Sequence, residues 1–258
     1  MAKIAWLCNS TQTYTDGGND KTLYNLVRAN LPHGWRMSPN KEWQSLVVYS
    51  DASGAGVGGA PTRSWLNGGV AGATRQDIDD AAVVIVGTML TDFIWPYDSH
   101  SLLKNGGSLT AAVAEHIAII DALSARGKHI IWHAPYSMDQ RTRAGGNPYS
   151  VCGGPLDAEI DPEAVSGVTE GGDFTDRCNR IMSDAVAIIK PAMRLRGICV
   201  IDHFTATATG EITIGYDDNY GTGDANLGIH ISAQSHLNLY ADFMPRLEAA
   251  LRRFQGGI

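Results

Sequence analysis

Clustered positive charge is nearly missing from this chain: Arg252-Arg253 is its longest Lys/Arg run, and the formal net charge is -7. A nucleic acid or an anionic membrane surface needs a basic face to displace its counterions, so the composition disfavours both as partners. Long apolar runs are missing too. None approaches about 18 residues, so no membrane-spanning helix is expected. Met1-Ala-Lys3 lacks a basic n-region followed by an apolar core. The chain therefore reads as soluble with no visible export signal, either cytoplasmic or secreted with its signal absent from this sequence. Cysteine is scarce: Cys8, Cys152, Cys178 and Cys199 lie far apart with no C-x-x-C spacing, which suggests neither a zinc site nor a disulfide framework. Cys8 and Cys199 fall at strand ends and read as buried thiols. Asp16-Gly-Gly-Asn-Asp20 looks like a calcium loop only superficially, because the twelve-residue ligand pattern and its terminal Glu are lacking. Internal repeats and low-complexity tracts are absent.

What is present is a globular composition, 44% hydrophobic and 18% charged, with 29 glycines concentrated in loops. At 258 residues the chain suits one domain, 1–258, with elaborated loops. Five apolar, β-rich runs punctuate it: Lys3 to Cys8, Ser45 to Ser50, Ala82 to Gly87, His129 to His133 and Gly197 to Asp202. Helical periods lie between them, an alternation that specifies a parallel sheet covered on both faces. Asp20 is a candidate cap for a helix carrying Leu23, Leu26 and Val27 on one face, stopped by Pro32-His33-Gly34. Residues 51–72 read as irregular, and Arg75 to Asp80 as a short helix or turn. Ser108 to Arg126 has Val113, Ile117, Ile120 and Leu123 at helical spacing, with Gly127 as its C′ residue. A helix opened by Asp173 runs to a break at Pro191. Phe204 to Gly228 reads as polar and irregular. The last helix starts at Ser232 with Leu237, Tyr240, Met244, Leu247 and Leu251 on one face. The stretch of about 135–172 is a long loop insertion, of the length that marks a lid, a binding loop or a disordered segment.

Three segments are expected at one edge of the sheet: Asn9-Ser10 after the first strand, Asn67-Gly-Gly-Val-Ala-Gly72-Ala-Thr74, and Gly228-Ile-His230-Ile-Ser232 before the last helix. Ligands of open α/β sheets bind where strands end. A serine hydroxyl needs a base to become a nucleophile, and His230 can supply it. Glycine lets a backbone N–H approach a developing oxyanion closely, so Gly72 and Ser10 are candidate donors. Each residue also has a plainer reading. Ser10 can be a turn or cap residue, Gly72 a turn glycine, and Trp65, Trp95 and Tyr136 packing under loops rather than an apolar or sugar platform.

These blocks resemble the SGNH (GDSL-like) hydrolases, a family of serine esterases and lipases. Leu7-Cys8-Asn9-Ser10 is similar to the first block, with Asn in the Asp position. Asn67 to Ile78 is similar to the second, whose glycine falls on Gly72. Ala82-Val-Val-Ile-Val-Gly87-Thr88 looks like the opening of the third, and Gly228-Ile-His230-Ile-Ser232-Ala-Gln-Ser-His236 looks like the last. The resemblance implies a three-layer α/β/α sandwich with a flavodoxin-like five-stranded parallel sheet in order 2-1-3-4-5. It implies an ester hydrolase acting through a Ser10–His230 acyl-enzyme mechanism, with no metal or organic cofactor and a small-molecule or carbohydrate ester as substrate. Two departures matter: the third-block asparagine falls on Met89, which donates no hydrogen bond, and the last-block aspartate falls on Leu227. Asp224 is the substitute acid, ahead of Asp217 and Asp218; Thr88 or Thr91 is a candidate replacement donor. Trp95 and His133 join Thr88 as substrate-lining candidates. His133, His203 and His236 are rivals to His230, but only His230 sits at the family position. The competing functions are a carbohydrate O-deacetylase and a non-catalytic carbohydrate-binding or structural member of the same fold. A flavodoxin-like nucleotide binder is weaker, because no phosphate-cradling Gly/Ser/Thr run opens directly into a helix after the first strand.

Overall fold

Strands packed on both faces must be apolar throughout, and that is how the central strands of this protein read. In a computed structural model, residues 1–7, 21–38, 48–49, 61–62, 78–87, 89, 109–137, 171–215 and 231–255 are described. The elements are β1 (Ala2–Leu7), α1 (Leu23–Ala29), β2 (Trp35–Met37), β3 (Val48–Tyr49), β4 (Pro61–Thr62), β5 (Val83–Val86), α2 (Leu109–Ala125), β6 (His129–Ala134), α3 (Gly171–Leu195), β7 (Cys199–Asp202), α4 (His203–Ala208) and α5 (Ala233–Gln255). Five strands form one sheet in the order β2-β1-β5-β6-β7. All its pairings are parallel, with Leu7 opposite Val86, Val86 opposite Trp132, and Trp132 opposite Val200. This is the expected order 2-1-3-4-5.

Alternate residues feed two cores. Ile4, Trp6, Val83, Ile85, Ile131 and Ile201 pack with α1 and α5, which contributes Leu239, Phe243 and Leu247. Leu7, Val84, Val86 and Trp132 face the opposite way, toward Ile120 and Leu123 of α2 and Ile181 and Ile189 of α3. Each face thus carries two of the longer helices, giving three layers.

The second strand of the sheet is not Ser45 to Ser50. Trp35-Arg-Met37, with its buried-exposed-buried alternation, fills that place at the sheet edge. Gly34, at φ +94°, turns the chain into it. Of the Ser45–Ser50 run, Val48–Tyr49 pairs antiparallel with Pro61–Thr62 in a separate two-stranded ribbon. Strand propensity was present in both places; it does not specify a partner.

Other local expectations shift as well. Thr22, rather than Asp20, caps α1 by accepting the Asn25 N–H at 3.3 Å, while Asp20 lies outside the described residues. α3 runs through Pro191 to Leu195. The lost N–H is outweighed by Met193, fully buried in the core, and by a closed C-terminus in which Ile198 and Arg196 donate to the Met193 carbonyl and Gly197 takes φ +67°. The segment after β7 opens as the short helix α4, because Asp202 caps it through the Thr205 N–H at 2.9 Å. The buried face of α5 contains the expected Met244, Leu247 and Leu251, with Tyr240 packed against it, and widens to His236, Leu239, Phe243 and Ala250, while Leu237 is exposed.

Candidate active site

β1 and β5 lie side by side at the centre of the sheet, and the chain crosses away from them in opposite directions: β1 connects to the β2 edge, and β5 to the β6–β7 side. That divergence is the switch point at which α/β sheets open a crevice at their carboxyl ends. β1 finishes there at Leu7, whose carbonyl accepts the Gly87 N–H at 2.7 Å. Ser10 follows β1 by three residues in the chain. α5 begins at the same edge, because His236 Nδ1 accepts the Leu23 N–H at the start of α1 (3.1 Å). It ends at the opposite edge, where Phe254 stacks on His129 at the start of β6, 4.3 Å between ring centroids. His230 directly precedes Ile231, a fully buried residue of the α1–α5 core.

Ser10, Gly72, Thr88, Trp95, Asp224 and His230 all lie outside the described residues, as do Thr91, Asp217, Asp218 and Leu227. Met89 is described and fully buried with Leu7 and Val86 in the α2–α3 core. Its side chain serves packing and offers no donor.

His133 is the sequence-predicted site residue whose surroundings are described. It projects from the carboxyl end of β6 into the α1–α5 layer and is 1% exposed. Its Nε2 lies 3.1 Å from His203 Nδ1, with the two rings edge to face. His203, itself fully buried, brings its Nε2 to 3.3 Å from Asp242 Oδ2 on α5, an ion-pair distance without good hydrogen-bond alignment. Asp242 Oδ1 in turn accepts from Arg246 Nε at 3.0 Å and forms an ion pair with its Nη2 at 2.9 Å. Phe243 stacks on Trp6 at 4.9 Å and packs against both imidazoles.

The electrostatics follow from burial and neighbours. Burial, then the neighbouring His203, push His133 well below the usual histidine range, with Asp242 opposing. Burial also lowers His203, against the pull of Asp242. Asp242 is held down at about 2, chiefly by His203 and then by Arg246. Burial pushes the half-buried Cys199 thiol up. Asp202 is lowered despite burial, through Lys190 and Thr205.

Sequence reasoning picked out His133 and His203 separately, one as a lining residue and the other as a rival base, and did not connect them. It missed Asp242. The signal available was helical spacing: Asp242 adjoins Phe243 in the buried row of α5 and stands four residues before Arg246. Among the described residues, no three His, Cys, Asp or Glu side chains gather as metal ligands, and no helix is long and apolar enough to cross a membrane.

No family model matches the chain, and no curated protein matches it. Solved structures do. A GDSL-like lipase from Bacteroides thetaiotaomicron is 11% identical, with 96% of this chain and 88% of that one covered at a TM-score of 0.51. The chain has the fold of the SGNH hydrolases. Weaker likenesses are a carbohydrate acetylesterase family member from Sinorhizobium meliloti (11% identity, 97% and 99% covered, TM-score 0.48) and a catalytic mutant of an acetylxylan esterase from Geobacillus stearothermophilus (15%, 95% and 93%, 0.48). At these identities the SGNH likeness speaks for architecture, and the chemistry has to be argued from residues.

Proposed function

We propose that the chain is a serine-dependent hydrolase of carboxylic esters in which Ser10 is the nucleophile and His230 the base. The observation that carries this reading is the meeting of two ends at one edge of an SGNH-type sheet: β1 stops at Leu7 just before Asn9-Ser10, and α5 starts just after His230. His230 takes the Ser10 proton as Oγ attacks the ester carbonyl. The N–H groups of Ser10 and Gly72 hold the oxyanion, and the alcohol leaves with the proton returned by His230. Water, activated by the same imidazole, then releases the acid. Asp224 orients His230 in place of the acid that Leu227 does not provide. Short acyl groups, acetyl included, on a small-molecule or carbohydrate alcohol are the proposed substrates.

The test is a fluorophosphonate probe read by intact mass. Wild-type protein is expected to gain one adduct, and Ser10→Ala and His230→Ala none, with their folds intact by circular dichroism. A well-folded wild type that takes no adduct would overturn the reading and favour a non-catalytic, glycan-binding member of the fold.

A further inference from the structure

The buried contact between His133 and His203 fixes which nitrogens carry protons. Asp242 beside Arg246 is a carboxylate, an acceptor only, so His203 Nε2, facing it at 3.3 Å, carries a proton. With both rings neutral, His203 Nδ1 is then the acceptor in the 3.1 Å contact, and His133 Nε2 the donor. That leaves His133 Nδ1 as a bare acceptor nitrogen. It is buried and without a hydrogen-bond partner, as is the nearby Trp6 Nε1, at the spot where a Gly87 Cβ would lie 3.1 Å from the indole and 3.3 Å from the imidazole nitrogen.

We propose that Asp242, His203 and His133 form a proton relay in which a proton accepted at His133 Nδ1, beside Gly87, is held as a positive charge on His203 against Asp242. The step balances. One proton bonds to His133 Nδ1, the His133 Nε2 proton passes to His203 Nδ1, and His133 ends neutral in its other tautomer. His203 ends as an imidazolium 3.3 Å from a carboxylate. The relay does not depend on the ester-hydrolase reading. Its direction follows from the surroundings. Among the described residues, the charged groups facing the pair are Asp242 and Arg246 on α5 and Asp202 at the end of β7, itself tied to Lys190 of α3 at 2.5 Å. Among the described residues, those against His133 include Trp6, Phe243 and Gly87, none of them charged. Burial disfavours charge on both rings, but Asp242 faces His203 directly and offsets it there, so His133 is the one pushed well down.

The experiment is a long-range proton–nitrogen spectrum of histidine-labelled protein, titrated from pH 8 toward pH 5. At pH 8 both rings are expected to carry their proton on Nε2. Through the acid step His203 is expected to become doubly protonated, while His133 stays singly protonated with its proton moved to Nδ1. Asp242→Asn is expected to lower the midpoint by about one pH unit or more, since an opposite charge at this range shifts a histidine by that order. Arg246→Ala, at an exposed position, provides a second arm and is expected to raise it. Double protonation of His133, an unmoved tautomer, a midpoint indifferent to both variants, or loss of the native spectrum before either ring charges would each overturn the relay.

Discussion

A methyl group at position 87 would stand 3.1 Å from Trp6 Nε1, 3.3 Å from His133 Nδ1 and 3.3 Å from the Leu7 carbonyl oxygen. None of these neighbours can yield freely: the indole is stacked on Phe243, the imidazole is tied to His203, and the carbonyl belongs to β1. Gly87→Ala is therefore expected to cost about 1–3 kcal/mol. It should appear as a lower urea midpoint at unchanged slope, and an unchanged midpoint would show that the end of β5 can move aside. Gly87 was visible in the sequence as the opening of a motif, but not as the gap over which two aromatic rings meet. His133 and His203 were visible as strand-end residues. Their contact was not, because it joins residues 70 apart.

At the scale of elements, α2 and α3 end alike. Each closes on a left-handed glycine, Gly127 at φ +77° and Gly197 at φ +67°, and in both cases the next residue donates back into the helix, Lys128 to Leu123 and Ile198 to Met193. Nothing lies within 4 Å of the Cβ that either glycine lacks. An alanine at either site is thus expected to cost only its backbone strain, about 1–2 kcal/mol. Thermal unfolding of Gly127→Ala and Gly197→Ala tests this: equal, modest losses are expected, and a much larger loss at one would point to packing. Thr22→Ala should cost about 1 kcal/mol through the lost cap of α1. Gly127 as a C′ residue could be read directly, because α2 has strong periodicity and a single stop. Pro191 misled, because the rule that proline breaks a helix takes no account of the buried Met193 beyond it. The β2 edge strand was missed because three residues give too short a period to compete with the longer run at Ser45 to Ser50.

For the whole molecule, acid is the weak side. His133 and His203 are held neutral in the fold, below the ordinary histidine value, whereas in the unfolded chain they bind protons near pH 6.5. Below that pH the unfolded state binds more protons, so stability is present above it and falls as pH decreases. Asp242 acts in the same direction further down. Its stabilisation is complete above the ordinary value of 3.8 and is lost as pH falls through about 2. The urea midpoint is expected to stay level from pH 8 to 7 and to drop below about 6.5; a level midpoint down to pH 5 would contradict the buried neutral pair. The layers were legible because alternating apolar runs and helical periods report burial, a property of the chain's own pattern; the strand order came from the family likeness, since a period does not say which strand neighbours which. Ser10, Gly72 and His230 are proposed from their motif blocks and lie outside the described residues. How catalytic groups meet is set by loops, and those carry no periodicity to read.

The position of α5 has one more consequence. It is the last element, yet it covers the face that β1 begins, and the bond from Leu23 to His236 spans 213 residues. While the chain is being synthesised, Trp6, Ile85 and Ile131 have emerged long before the α5 residues that complete their cover. The part of that face which α1 leaves uncovered must then wait for α5 to leave the ribosome, and over that interval the nascent chain depends on whatever else shields an apolar surface.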